Sequence, residues 1–190
     1  MKLSDNSDRL SEFLLDRVRF KLYACQQHLR NLKNIESING DLASTDARLG
    51  AEIEIDCFLS QMIGSVDSLL VELNDKLELG VPSDKVEMSA VKSGLLAKTK
   101  KIELLEDLDN ASRDNNWYWF IRQLRNYSYS RYLILASTNS KGAYLPSNPT
   151  SRVNNPDRMN MELIPYLEQS LNQLKKLIEN IRKRADLILC

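Results

Sequence analysis

Apolar residues recur at alternating steps of three and four along most of this chain, and that spacing admits little except packed helices. The last stretch keeps it without a slip: Ile164, Leu167, Leu171, Leu174, Ile178, Ile181, Ala185 and Ile188, with Leu163 and Leu177 widening the stripe. Such a seam packs at a shallow angle against neighbouring helices, either within the chain or on a second copy of it. Pro165 must then lie in the first turn, where a missing N–H is harmless. Leu10, Leu14, Val18, Leu22, Cys25, Leu29 and Leu32 repeat the pattern near the start. They predict a helix over about 8–36, capped by Ser7 and stopped at Asn39-Gly40.

A second helix is expected from Thr45 or Asp46 to Leu79, closed by Gly80 and Pro82. Ile53, Ile55, Cys57, Phe58, Leu59, Met62, Ile63, Val66, Leu69, Leu70 and Leu73 make it apolar on several sides, which suits a central position. Gly64 in its interior reads equally as a tolerated blemish or as a close crossing or bend. Ser83 and Asp84 can cap a weaker helix through Val91 and Leu95. The run 102–109 is a short acidic helix or turn, and whether the two are one element stays open. Ser112 or Asp114 can cap the helix that follows. From 137 to 157 periodicity vanishes and Pro146, Pro149 and Pro156 accumulate, which reads first as a long mobile loop and second as a functional lid. A short strand over 129–136 is compatible with its composition. The fold class is therefore all-α, a single domain over 1–190 built as an up-and-down bundle of about five long helices.

Composition removes several function classes. The 26 basic and 26 acidic residues cancel, so attraction to nucleic acid or membrane could come only from a local patch. Cys25, Cys57 and Cys190 are an odd, widely spaced set, pointing to reduced thiols and a cytoplasmic location. Met1-Lys2-Leu3-Ser4-Asp5 begins no apolar signal segment, and no run approaches the ~20 apolar residues of a membrane helix. No cofactor is implied: there is no glycine-rich phosphate loop and no Gly-x-Ser-x-Gly elbow. One histidine with scattered cysteines offers no metal ligand set. Lys175-Lys176 and Arg182-Lys183-Arg184 read as a solvated face near a helix C-terminus. Glu103, Glu106, Asp107 and Asp109 are expected to face water or to pair with the lysines at 98–101.

The densest aromatic segment is 115–131, Asn-Asn-Trp-Tyr-Trp-Phe-Ile-Arg-Gln-Leu-Arg-Asn-Tyr-Ser-Tyr-Ser-Arg. On a helical wheel Trp117, Phe120, Ile121, Leu124 and Ser128 share one face. Arg122, Arg125, Asn126, Tyr129 and Ser130 fall within an arc of about 140° on the other, with Tyr118 and Trp119 on that side too. One aromatic face is expected in the core and the other offered to a partner. Arginine suits two-pronged contact with a phosphate. A structural role, tying helices through Asp56 or Asp67, stands level with ligand contact.

Arg125-Asn126-Tyr127-Ser128-Tyr129-Ser130, late in a helix of an all-α bundle, resembles the Arg-Asn-x-x-x-His motif of the HEPN superfamily. The resemblance covers about 110–135. It implies a HEPN-like bundle, dimerisation with the motif at the interface, and the metal-independent ribonuclease chemistry of toxin and defence systems. Arg125 and Asn126 match, but Ser130 stands where the family has histidine. A serine hydroxyl cannot by itself move the 2′-hydroxyl proton near neutral pH. The expectation is thus an inactive, homodimeric binding protein. Its ligand would be RNA, a nucleotide or a partner protein, held by Arg122, Arg125, Asn126, Tyr129, Ser130 and Trp119. One alternative is an endoribonuclease whose proton-transfer group is His28, Tyr129 or a residue of another subunit. The other is a plain interaction scaffold. His28, beside Cys25 and Leu29, reads first as a structural histidine.

Overall fold

The computed structural model describes residues 15–39, 44–98, 102–114, 116–130 and 162–189. The described elements are six helices, α1 (Arg17–Asn39), α2 (Thr45–Lys76), α3 (Met88–Lys98), α4 (Ile102–Ser112), α5 (Trp117–Ser130) and α6 (Leu163–Leu189), with a single 3₁₀ turn at Ser83–Lys85. The chain is all-α. About five long helices were expected. The stretch after α2 divides into two short ones, and α3 starts at Met88 because Ser83 and Asp84 form the 3₁₀ turn and do not cap it. The expected loop 137–157 and the residues 131–136 lie outside the described residues.

Cross-helix pairs fix the directions. Lys21 meets Gln61 and His28 meets Glu54, so α1 and α2 are antiparallel. Ser128 meets Asp56, and Arg125 shares a cleft with Asp56, Cys57, Ser60 and Gln61, which sets α5 antiparallel to α2. Lys33 pairs with Glu168 and Arg182 with Asp16, so α6 runs against α1. The four longest helices therefore alternate in direction, with α3 and α4 inserted between α2 and α5.

α2 is the hub. Ile55, Phe58, Leu59, Met62, Val66 and Leu69 are fully buried, and α1, α3, α5 and α6 all pack on it. Its N-terminus is capped by Ser44, whose hydroxyl accepts from the Ala47 N–H at 3.1 Å. Its C-terminus comes three residues before the expected Leu79. The Leu79 N–H donates to the Asn74 carbonyl (3.0 Å) and the Glu78 N–H to Asp75 (3.2 Å), the Schellman pattern. The left-handed position belongs to Glu78 (φ 47°), not to a glycine. The Asn74 side chain pins the exit by exchanging two 3.0 Å hydrogen bonds with the Val81 backbone.

α1 is capped at Asp16, whose carboxylate accepts from the Arg19 N–H at 2.9 Å. The helix expected to run unbroken from residue 8 thus has a start within it, and Ser7 lies outside the described residues. The α6 seam is spent inside the chain: Leu167, Leu174, Ile181 and Ala185 are buried against neighbouring helices. It is not available to a second copy. Among the described residues no helix is long and apolar enough to cross a membrane.

Candidate functional site

The cap position before α5 is held by Asn116, not by Ser112 or Asp114. The Asn116 carbonyl accepts from the Phe120 N–H (3.0 Å), and its side-chain oxygen from the Trp117 N–H (2.7 Å). The Ser112 hydroxyl instead donates back to the Leu108 carbonyl, ending α4. Trp117, Phe120, Ile121 and Leu124 are buried as the wheel predicts, and Phe120 meets Tyr166 of α6 edge to face at 5.3 Å. Tyr118 departs from the wheel, being only 4% exposed, and Trp119 packs partly buried against the core. α5 touches α2, α4 and α6, so three sides of it need apolar cover. Trp119 is therefore no open stacking platform.

One side of α5 meets an edge of α2, and Ser128, which the wheel sets on the apolar face, joins Arg125 there. The Ser128 hydroxyl donates to Asp56. One turn back, half-buried Arg125 lines a cleft of about 190 Å³ with Asp56, Cys57, Ser60 and Gln61. From the other flank comes Lys21 of α1, its Nζ 3.4 Å from the Gln61 side-chain oxygen. The lysine stem lies across Gly64, where a Cβ would meet Nζ at 2.7 Å. What lies close to Gly64 is thus a side chain, and not the helix crossing or bend that the sequence allowed for.

Asp67 follows three residues later on the same helical face. Burial raises its carboxyl above the usual range, against the pull of Arg122, Lys21 and Arg125 in that order. The Asp67 residue is nonetheless exposed to solvent. Beneath it, burial pushes the Tyr118 hydroxyl well above its normal range, with Asp67 adding to the rise and Arg122 opposing it. Lys21, Arg122 and Arg125 thus act on Asp67 through space, without an ion pair to it among the described residues.

The structure therefore joins Arg122 and Arg125, with Arg122 exposed and Arg125 half-buried in the cleft wall. Asn126 is exposed on the next position of α5. Tyr129 and Ser130 belong to the α5 backbone, but their side chains lie outside the described residues. His28 Nδ1 sits 2.7 Å from Glu54 Oε2, and Asn31 also donates to Glu54 at 3.2 Å. That is the structural reading of this histidine, and His28 does not line the Arg125 cleft. Cys57 does line it, its thiol pushed up by burial and then by Glu54 and Asp56. Cys25 is buried in the core and pushed up to about 12. Neither thiol is activated as a nucleophile.

Lys21, Ser60 and Gln61 went unread in the sequence; the one signal for them was the helix-interior Gly64. The C-terminal basic run also differs from its solvated reading. Arg182 grips Asp16 (2.8 and 2.9 Å) and Glu72 (2.6 and 3.0 Å), and Arg184 pairs with Asp107 at 3.1 Å. Asp109 pairs with Lys92. Among the described residues no three His, Cys, Asp or Glu side chains group to hold a metal ion. Comparison with protein-family models, with curated proteins and with solved structures finds no match to this chain.

Proposed function

We propose that this chain is a HEPN-like helical protein that binds single-stranded RNA without cleaving it, through Arg122 and Arg125. One observation carries the reading: cations from two helices, Lys21 on one side and Arg122 and Arg125 on the other, gather along one edge of α2 beside an open cleft. A cleft of about 190 Å³ is smaller than the roughly 300–1,000 Å³ of small-molecule sites, so a nucleotide would not be enclosed. It suits one phosphate on Arg125, flanked by hydroxyl and amide donors from Ser60 and Gln61, with the next phosphates along the exposed Arg122.

The non-catalytic half of the proposal rests on chemistry. Arginine stays protonated and cannot act as a base near neutrality, the Cys57 thiol is shifted away from thiolate, and the His28 imidazole is engaged by Glu54. The test is to incubate the full chain, and an Arg125→Ala variant, with labelled single-stranded RNA, following binding and chain length together. Binding without cleavage is expected, about tenfold weaker in the variant, with the salt slope reduced by roughly 0.7. Cleavage lost in Arg125→Ala would instead support the endoribonuclease reading, and neither binding nor cleavage would leave an interaction scaffold.

A further inference from the structure

We infer that Asp67 sets which anions this site accepts, standing among Lys21, Arg122 and Arg125 as a resident counter-ion that only a ligand with several phosphates outcompetes. The inference deepens the RNA-binding reading and rests on it. Its ground is the clustering of charges. Lys21 reaches the face from α1 across Gly64, and Asp67 lies three residues further along the same edge of α2. The antiparallel register set by Ser128 on Asp56 and by the Arg125 cleft carries the first turns of α5, with Tyr118 and Arg122, toward the Asp67 end of that edge.

Asp56, on α2 itself, is differently engaged, taking the Ser128 hydroxyl at the far end of the cleft. The cluster thus sets three positive charges, Lys21, Arg122 and Arg125, against Asp56 and Asp67. A lone phosphate or a mononucleotide meets a field that the two carboxylates largely cancel. A phosphodiester chain can contact all three cations at once, each contact adding to the next. The preferred ligand is therefore an oligonucleotide over a mononucleotide. Asp67 is a specificity-determining residue and enters no proton transfer.

The experiment titrates the full chain with a fluorescent oligouridylate and, separately, with uridine monophosphate, at low salt. Wild type, Asp67→Asn, Asp67→Ser and Arg122→Ala are compared. Both Asp67 variants should bind the oligouridylate roughly fivefold tighter, the effect of removing one nearby unit charge in a watery setting. They should gain a clearly larger factor for the mononucleotide, so that the preference for the oligouridylate narrows, while Arg122→Ala weakens both; equal gains for the two ligands would overturn the inference. Asp67 variants that bind no tighter, with Arg122→Ala still weakening the complex, would overturn the inference and leave the RNA-binding reading standing. No binding of the oligouridylate by any of the four proteins would overturn both.

Discussion

Asp16 does two jobs with one carboxylate: it caps α1 through the Arg19 N–H, and it takes the two-pronged grip of Arg182 from α6. Arg182 holds Glu72 of α2 with its remaining donors, so one guanidinium ties three helices. The Arg182 hydrogen bond holds Asp16 below the ordinary carboxylate range, against the effect of burial. A lowered pKa means stability that is present above the unfolded value, near 3.8, and lost as pH falls through the still lower folded one. Asp16→Ala should therefore cost about 2 kcal/mol near pH 7 for cap and grip together. Asp16→Asn, which keeps a capping oxygen, should cost about half of that. Thermal melts should show both differences narrowing toward pH 3. A difference that persists unchanged in acid would assign the loss to packing instead of charge. None of this was legible in the sequence, where Arg182 sat in a run of basic residues and read as solvated. Its partners lie 110 and 166 residues away, beyond the reach of any local pattern.

At the scale of elements, two glycines in helix interiors separate propensity from packing. At Gly64 an added Cβ would meet only the flexible end of Lys21, which can swing aside. At Gly94 it would come within 3.1 Å of the Leu79 Cβ. Leu79 cannot yield, because the Schellman turn and the Asn74–Val81 hydrogen bonds hold that segment. Gly64→Ala should thus gain up to ~1 kcal/mol of helix propensity, and Gly94→Ala should gain none of it. Urea unfolding of the two variants makes the comparison. Equal gains would mean that the α3 contact with the α2 exit is looser than drawn. Gly64→Ala should also weaken RNA binding by moving Lys21 off the α2 edge. Helix positions were readable because a 3.6-residue apolar period survives in α1, α2, α5 and α6. Ends were read less well: α2 stops at a left-handed Glu78 where sequence rules look for glycine, and α5 is capped by Asn116 and not by Ser112 or Asp114. Side-chain capping partners depend on where the chain turns, which periodicity does not record.

The whole molecule is an alternating set of long helices around α2, whose buried residues are mostly apolar, and the α6 seam that could have joined two chains is consumed in building one. The residues of the candidate site were half legible. Arg122 and Arg125 stood out by their place on the polar arc of α5, and Asp56 and Asp67 as the acids through which they would tie helices together. Lys21 did not stand out, since only the α1–α2 hairpin brings it to Gly64. Tyr118 and Trp119 were misplaced because a wheel assumes one buried face, whereas α5 is packed on three sides. The central claim, that ligand is taken on the edge shared by α2 and α5, is tested most directly by amide chemical-shift mapping of the full chain on addition of short single-stranded RNA. The account predicts shifts concentrated at 56–67 of α2 and 118–126 of α5. Shifts centred on the basic run at 175–184, or none at all under conditions of saturation, would contradict it.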